Sequence, residues 1–272
     1  IYTGLSTLAR RGPGRKGKGL ILVGLPRDGG SELENILARL GPRPVGSFPH
    51  GEGIEEWRRL GEAGAAFIVD RTLYPRFAAA LESRGMSVED VPLPVGLGQS
   101  RMFFETIARR FGVQGRVPGA VDRDARACGR AIARFRAEFR GLRLAYALRM
   151  CNNYEGDLLA YEGLGDLEFF AELGFQAALL VQGAPEADSK RRIGARLRSL
   201  GRREPFLVFP DPIELPGILR KVGFSLAYLG GHAGPEADRA QVPIVAARSL
   251  APFFQGCLAN IARIRALLER RR

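Results

Sequence analysis

Nine residues that could bind or convert a small molecule stand in four short segments, and each segment follows a run of mostly apolar residues. They are Asp70, Arg71, Cys151, Asn152, Asn153, Gly230, Gly231, His232 and Arg248. Short, nearly continuous apolar runs are typical of parallel strands buried on both faces. In open α/β sheets, ligands bind at the carboxyl ends of such strands. The pattern therefore predicts that these residues lie at the ligand-binding edges of the fold.

Two of these residues are candidate catalytic groups, and the other seven are candidate substrate-binding residues. Asp70 can donate a proton if its pKa is raised in a cleft, and the adjacent Arg71 can bind a carboxylate of the ligand. His232 can act as an acid or as an axial ligand, since neutral imidazole does both near pH 7. Cys151 can serve as a ligand or a proton donor. The structural alternatives are a surface salt bridge for Asp70 with Arg71 and a small buried hydrophobic role for Cys151.

The secondary-structure elements that position these residues are predicted to form an α/β fold. The stretch 141–183 reads as a strand, a polar loop, a helix with apolar residues at helical spacing, and a second strand, which together make a right-handed βαβ unit. Similar units before and after it predict two doubly wound, mostly parallel Rossmann-like domains with a helical connection. The predicted boundaries are a basic linker at 1–18, a first domain at 19–96, the connection at 97–141, and a second domain with a C-terminal helix at 142–272.

The formal net charge of +12 comes almost entirely from arginine. The arginines are spread along helices with acidic residues among them, and they lack the interleaved aromatic side chains of a single-strand binding groove. This distribution predicts solvated helix faces and no specific nucleic acid partner. No segment approaches the roughly 20 apolar residues of a membrane helix. The sequence therefore predicts no membrane span and no signal peptide.

The three cysteines are Cys128, Cys151 and Cys257, and they are widely spaced. An odd number without a CxxC motif argues against a disulfide framework and for a reducing, cytoplasmic location. An iron–sulfur or zinc site needs about four soft ligands. We therefore expect the chain alone to bind no metal.

Six segments together resemble the component 1 family of nitrogenase-like oxidoreductases, which includes nitrogenase molybdenum–iron protein subunits and the catalytic subunits of light-independent protochlorophyllide and chlorophyllide reductases. They are LILVGLPRDGGSELENILARLG (20–41), AAFIVDRTLYPRFAAALESRGM (65–86), PLPVGLGQSRMFFETIARRFGV (92–113), GLRLAYAL (141–148), FFAELGF (169–175) and GFSLAYLGGHAGPEADRAQVPIV (223–245).

The resemblance implies three Rossmann-like domains per subunit, with an iron–sulfur cluster held by cysteines of the first domain at a subunit interface. This chain resembles the second and third domains only. It begins with Ile1 and not with Met, which keeps open a missing upstream domain. The resemblance thus implies that the ligands of the cluster lie upstream of Ile1 or on a partner, and that this chain alone holds none.

The sequence differs from nitrogenase at the two positions that the resemblance assigns to cofactor ligands. Where nitrogenase holds its cofactor with a Cys and a His, this chain reads Val69-Asp70-Arg71 and Ala247-Arg248-Ser249. This argues against an iron–molybdenum cofactor and dinitrogen reduction, and it fits the tetrapyrrole-reductase branch, in which an organic substrate occupies the cavity.

The expected function is that of a reductase subunit that works with a sister component 1-type subunit and an ATP-dependent iron–sulfur reductase. Two alternatives stay open. One is a non-catalytic scaffold of the same family for cofactor assembly, and the other is a two-lobed small-ligand binding protein.

Overall fold

Two parallel β-sheets organise the chain in the computed structural model. The structure describes residues 19–25, 30–48, 62–69, 71, 74–149, 164–182, 190, 191, 194, 195, 197, 198, 201, 203–229, 241–246 and 249–270. Within these residues, every pair of neighbouring strands is parallel. The predicted α/β class with mostly parallel sheets is therefore confirmed.

The first sheet has four strands in the order β2-β1-β3-β4. The strands are β1 (Gly19–Val23), β2 (Arg43–Phe48), β3 (Ala63–Val69) and β4 (Ser87–Val91). All of β1 is buried, and six of the seven residues of β3 are buried. Such burial on both faces explains why these central strands are nearly continuous apolar runs in the sequence.

The α-helices described in this part of the chain are α1 (Gly30–Leu40), α2 (Pro75–Glu82), α3 (Leu97–Arg110) and α4 (Val117–Glu138). The apolar residues of α1 recur at helical spacing, and Leu33, Ile36, Leu37 and Leu40 are its buried residues. A stripe of this kind gives a helix one face to pack on a sheet. Gly41, at a φ of 110°, follows α1 and ends it in the manner expected of a C-terminal glycine.

The second sheet has five strands in the order β7-β6-β5-β8-β9. They are β5 (Arg143–Arg149), β6 (Gln176–Gln182), β7 (Phe206–Phe209), β8 (Leu226–Leu229) and β9 (Ile244–Ala246). The helices are α5 (Gly165–Glu172), α6 (Leu215–Val222) and α7 (Phe253–Glu269). The order runs outward from β5 in both directions, as in a doubly wound sheet.

The described part of the chain clusters into two compact units. One comprises residues up to Cys128 together with Ala251–Cys257, and the other comprises Gly129–Leu250 together with Leu258–Arg272. The boundaries inferred from the sequence, near residues 96 and 141, stay predictions. The sequence also predicts helices at 54–60 and 235–240, and both segments lie outside the described residues. Among the described residues, no helix is both long and apolar enough to cross a membrane.

Candidate functional site

The carboxyl edge of the second sheet, where β5 lies beside β8, is the strongest candidate for a ligand site. In the register of these two strands, Tyr146 is paired with Tyr228 and Ala147 with Leu229. The chain moves from β5 outward to β6 and β7, and later from β8 outward to β9. The strand order therefore reverses between β5 and β8, which is the point where open α/β sheets bind ligands.

Seven predicted site residues follow the strands of this sheet in the sequence. Cys151, Asn152 and Asn153 come after β5, Gly230, Gly231 and His232 come after β8, and Arg248 comes after β9. All seven lie outside the described residues. The structure establishes that β5, β8 and β9 are neighbours with a common direction. The roles of the seven residues remain predictions.

A buried carboxyl group lies beneath this switch point. Asp166 is the second residue of α5, and its relative exposure is only 3%. The Tyr228 hydroxyl of β8 donates a short hydrogen bond to Asp166 Oδ2. Asp166 Oδ1 is also buried, and it has no hydrogen-bond partner among the residues that the structure describes. A buried polar atom of this kind calls for an explanation, because most such atoms are hydrogen-bonded in native proteins.

The surroundings of Asp166 are aromatic. The rings of Tyr146 and Tyr228 stack with centroids 4.4 Å apart and an interplanar angle of 13°. Phe170 of α5 meets Tyr228 edge to face at 5.5 Å and Tyr146 at 6.3 Å. Desolvation in this aromatic pocket raises the pKa of Asp166 to about 6, while the hydrogen bond from Tyr228 opposes that rise. The carboxyl group therefore titrates near pH 6, about two pH units above its ordinary range.

Sequence reasoning did not single out Asp166. An acidic residue in the first turn of a helix is favourable at the N-terminal end of the helix dipole, so its presence there needs no further role. The distinguishing feature is burial against β8, which is separated from α5 by about 50 residues of chain. No local signal in the sequence reports that contact.

The carboxyl edge of the first sheet is built around Gly24, which directly follows β1. Its backbone N–H donates to the carbonyl oxygen of Phe48 at 2.6 Å. Its φ is 82°, and a Cβ at this position would lie 2.7 Å from the carbonyl oxygen of Val69, the last residue of β3. Only glycine fits there without a shift of the backbone. The turn after β1 therefore lies close to the residue that precedes Asp70.

Arg71 is the one predicted site residue that the structure describes. Its guanidinium forms an ion pair with Glu82 of α2 at 2.5 Å, and the two side chains are 38% and 41% exposed. The hydrogen bond to Glu82 raises the pKa of Arg71. Asp70 lies outside the described residues, so its predicted pairing with Arg71 stays a prediction. The ion pair with Glu82 is a structural role for Arg71, and its proposed binding of a ligand carboxylate stays a prediction.

The described residues do not fit an iron–sulfur cluster. Cys128 on α4 is buried, and its thiol donates to the carbonyl oxygen of Phe254 at 3.1 Å. Cys257 on α7 is buried as well. Among the described residues, no group of three or more His, Cys, Asp or Glu side chains could hold a metal ion. A cluster of this type needs about four thiolate or equivalent ligands.

Two solved structures are similar to this chain in fold. "Nitrogenase Cp1 at pH 6.5" matches with a TM-score of 0.70 and 12% identity, covering 98% of this chain and 62% of that one. "Nitrogenase Cp1 at pH 5" matches with a TM-score of 0.70 and 12% identity, covering 97% and 60%. The chain thus spans about three fifths of the length of these nitrogenase chains. At this identity the likeness shows the fold.

A weaker likeness is to the periplasmic heme-binding protein HutB of Vibrio cholerae, with a TM-score of 0.45, 13% identity and coverage of 93% of this chain and 99% of that one. It carries no functional argument. No curated protein sequence matches the chain. The sequence profile described as "Nitrogenase component 1 type Oxidoreductase" matches residues 5–247, which is most of the chain. This chain therefore belongs to the nitrogenase component 1 type oxidoreductase family.

Proposed function

We propose that the chain is part of a nitrogenase-like reductase that receives electrons from an ATP-dependent iron–sulfur protein and reduces an organic substrate such as a tetrapyrrole. The observation that carries the proposal is the family match over residues 5–247, combined with the chemistry of the predicted site. Asp70, Arg71 and Arg248 are acidic and basic groups suited to an organic substrate with carboxylates. They stand where the resemblance places metal-binding residues in nitrogenase.

The proposed chemistry is the reduction of one carbon–carbon double bond. Two electrons arrive from the iron–sulfur partner, and two protons arrive from Asp70 and His232, so that one C=C bond becomes a single bond with two new C–H bonds. Arg71 and Arg248 hold carboxylate groups of the substrate. Cys151, Asn152 and Asn153 contact its rim.

Gly230 and Gly231 complete the proposed site. Glycines allow a ligand to approach the backbone closely, because they carry no Cβ. They also directly follow β8, the strand that holds Tyr228 at the switch point. We therefore place them against a flat face of the substrate.

Family membership also suggests the cofactor and the partners. Members of the family typically bind iron–sulfur clusters and form complexes with an iron protein partner. A cluster would supply one-electron transfer when bound. We propose that its ligands lie outside this chain, because the three cysteines of the sequence are widely spaced and form no CxxC motif. We further propose a sister component 1-type subunit, assembly in the cytoplasm, and no specific nucleic acid partner.

A second candidate function is a scaffold for cofactor assembly within the same family. The observation that favours it is the chain's lack of Cys and His at 69–71 and 247–249, where nitrogenase carries its cofactor ligands. A scaffold would bind a metal cofactor transiently and pass it on without reducing an organic substrate.

The experiment is a turnover assay of the complete assembly with its ATP-dependent reductase, in which the absorbance of protochlorophyllide is followed under anaerobic conditions. We expect Asp70→Asn and His232→Gln to lower kcat by about a hundredfold or more, as loss of general acids does. Arg71→Gln should mainly raise KM. The matched control is Arg76→Gln, an exposed residue of α2.

Two results would refute the proposal. Wild-type kcat in both Asp70→Asn and His232→Gln would remove those residues from the chemistry. A complete absence of tetrapyrrole reduction, together with transfer of a metal cofactor to an acceptor protein, would favour the scaffold.

A further inference from the structure

The contact between Tyr228 and Asp166 joins a phenol to a carboxyl group in the interior of one compact unit. Both residues belong to the unit that contains Gly129–Leu250, and they are 1% and 3% exposed. The Tyr228 hydroxyl donates to Asp166 Oδ2. The side-chain oxygen of an asparagine would accept that hydrogen bond as well, at a far smaller cost of burial than a charge. The hydrogen bond alone therefore does not explain why an acid stands here.

No cation compensates Asp166 among the residues that the structure describes. Two influences set its pKa, which are desolvation and the opposing hydrogen bond from Tyr228, and no basic group contributes. The pKa of about 6 still leaves the carboxyl group ionised at pH 8. At that pH the pair consists of one buried negative charge and a phenol that donates its proton to a base.

The ring of Tyr228 is enclosed by other aromatic rings. Tyr146 stacks on it with centroids 4.4 Å apart, and Phe170 contacts it edge to face at 5.5 Å. Tyr146 is fully buried. A stacked ring helps to delocalise the charge that develops when an electron is removed from its neighbour. The enclosure also keeps water from acting as the base, which leaves that role to Asp166.

We propose that Tyr228 is a redox-active tyrosine whose proton acceptor is Asp166 and whose co-reactant is a one-electron oxidant. One electron leaves the Tyr228 ring for the oxidant, while the O–H bond breaks and the proton moves along the existing hydrogen bond to Asp166 Oδ2. The products are a neutral tyrosyl radical, a neutral carboxylic acid and the reduced oxidant. A one-electron reductant reverses the step. This redox role does not depend on the proposed reduction of a tetrapyrrole.

The charge balance of the pocket favours this step. Before oxidation, the pair of Tyr228 and Asp166 carries one negative charge in apolar surroundings. After the electron has left and the proton has moved, both members are neutral, so the penalty for a buried charge disappears. Oxidation of a phenol without a base would instead create a buried radical cation, which the same surroundings disfavour. The unpaired carboxylate therefore makes Tyr228 easier to oxidise.

The test is photochemical oxidation of the 272-residue chain at pH 8. A flash generates tris(bipyridine)ruthenium(III), a one-electron oxidant, and electron paramagnetic resonance measures the tyrosyl radical that persists after exposed radicals have decayed. Tyr228→Phe removes the phenol, and Asp166→Asn keeps an oxygen that accepts from Tyr228 but removes the base. The matched control is Tyr74→Phe, which changes a half-buried tyrosine of the other compact unit. Circular dichroism checks that each variant is folded.

We expect a long-lived radical in the wild type and in Tyr74→Phe, and we expect Tyr228→Phe to lack it. Asp166→Asn should form the radical about tenfold more slowly or less rapidly still, since a positioned base contributes on the order of a hundredfold to a proton transfer. Tyr146→Phe keeps an aromatic ring in the stack and should retain the radical. The wild type should form the radical more slowly in D₂O than in H₂O, because the O–D bond breaks in the same step.

Three outcomes would overturn the proposal. One is the same long-lived radical in folded Tyr228→Phe, and another is a wild-type rate of radical formation in folded Asp166→Asn. The third is the absence of a long-lived radical in the wild type under a flash that oxidises free tyrosine in the same buffer. If Tyr228→Phe does not fold, Asp166→Asn and the comparison in D₂O still decide, because equal rates in either of them would exclude the coupled proton transfer.

Discussion

Asp166 makes the stability of the second unit depend on pH in a direction opposite to that of an ordinary surface carboxylate. Its pKa is raised in the fold from 3.8 to about 6, first by desolvation and against the hydrogen bond from Tyr228. Because the folded pKa lies above the unfolded value, the fold prefers the protonated carboxyl. The stability that the protonated carboxyl group contributes is fully present below about pH 4. It is lost as the pH rises from about 4 through about 6.

The size of the pH effect on stability follows from the pKa shift of Asp166. About two pKa units correspond to about 3 kcal/mol of differential interaction when the carboxyl is fully ionised. Between pH 5 and pH 8, linkage gives a loss of about 1 to 1.5 kcal/mol from this one group. Asp166→Asn removes the titration and keeps an oxygen that can accept from Tyr228. Between pH 5 and pH 8, the unfolding free energy of Asp166→Asn should therefore rise by about 1 to 1.5 kcal/mol relative to that of the wild type.

The assay is urea unfolding followed by far-ultraviolet circular dichroism at pH 5, 6, 7 and 8. Glu168→Gln, on the same helix, controls for the loss of one negative charge from α5. Tyr228→Phe removes the only described donor to the carboxylate and should lower stability at pH 8 by about 1 to 3 kcal/mol. If wild type and Asp166→Asn stay parallel across the whole range, the carboxyl is not desolvated as the geometry requires, and the reasoning fails.

Three further predictions concern the last helix and the metal content. Gly256→Ala places a Cβ 2.5 Å from the backbone of Ala251 and should destabilise the chain by about 1 to 3 kcal/mol in thermal unfolding. The control Gly217→Ala has open space around the new Cβ and should be neutral or stabilising. Equal effects of the two substitutions would contradict the close packing at Gly256. Glu32→Ala removes the carboxylate that accepts two N–H groups in the first turn of α7 at 3.0 Å and should cost about 1 to 2 kcal/mol, while Glu32→Gln should cost less. The purified chain after anaerobic reconstitution should contain no stoichiometric iron, and two to four irons per chain, on the order expected of a cluster, would show that the cysteines were misinterpreted.

Local patterns in the sequence were sufficient to predict the class of fold. The apolar runs at 65–69, 142–148 and 206–209 each predict a buried strand. The structure has β3, β5 and β7 at these places, with shifts of two residues or fewer at their ends. Periodicity succeeds here because a strand buried on both faces must be apolar along its whole length. The family resemblance rested on six segments, two of which contain the runs that became β3 and β5, and it is confirmed by the match over residues 5–247.

Contacts between segments far apart in the sequence decided the roles of individual acidic residues. Glu32 caps α7 across 222 residues of chain, and Asp166 meets Tyr228 across 62. Each of these acids stands in the first turn of its own helix, where a local reason for it already exists. The sequence by itself determined which segments become strands and helices, because that choice depends on the spacing of neighbouring residues. Only the tertiary structure decided which carboxyl group is desolvated, because desolvation depends on what a side chain packs against.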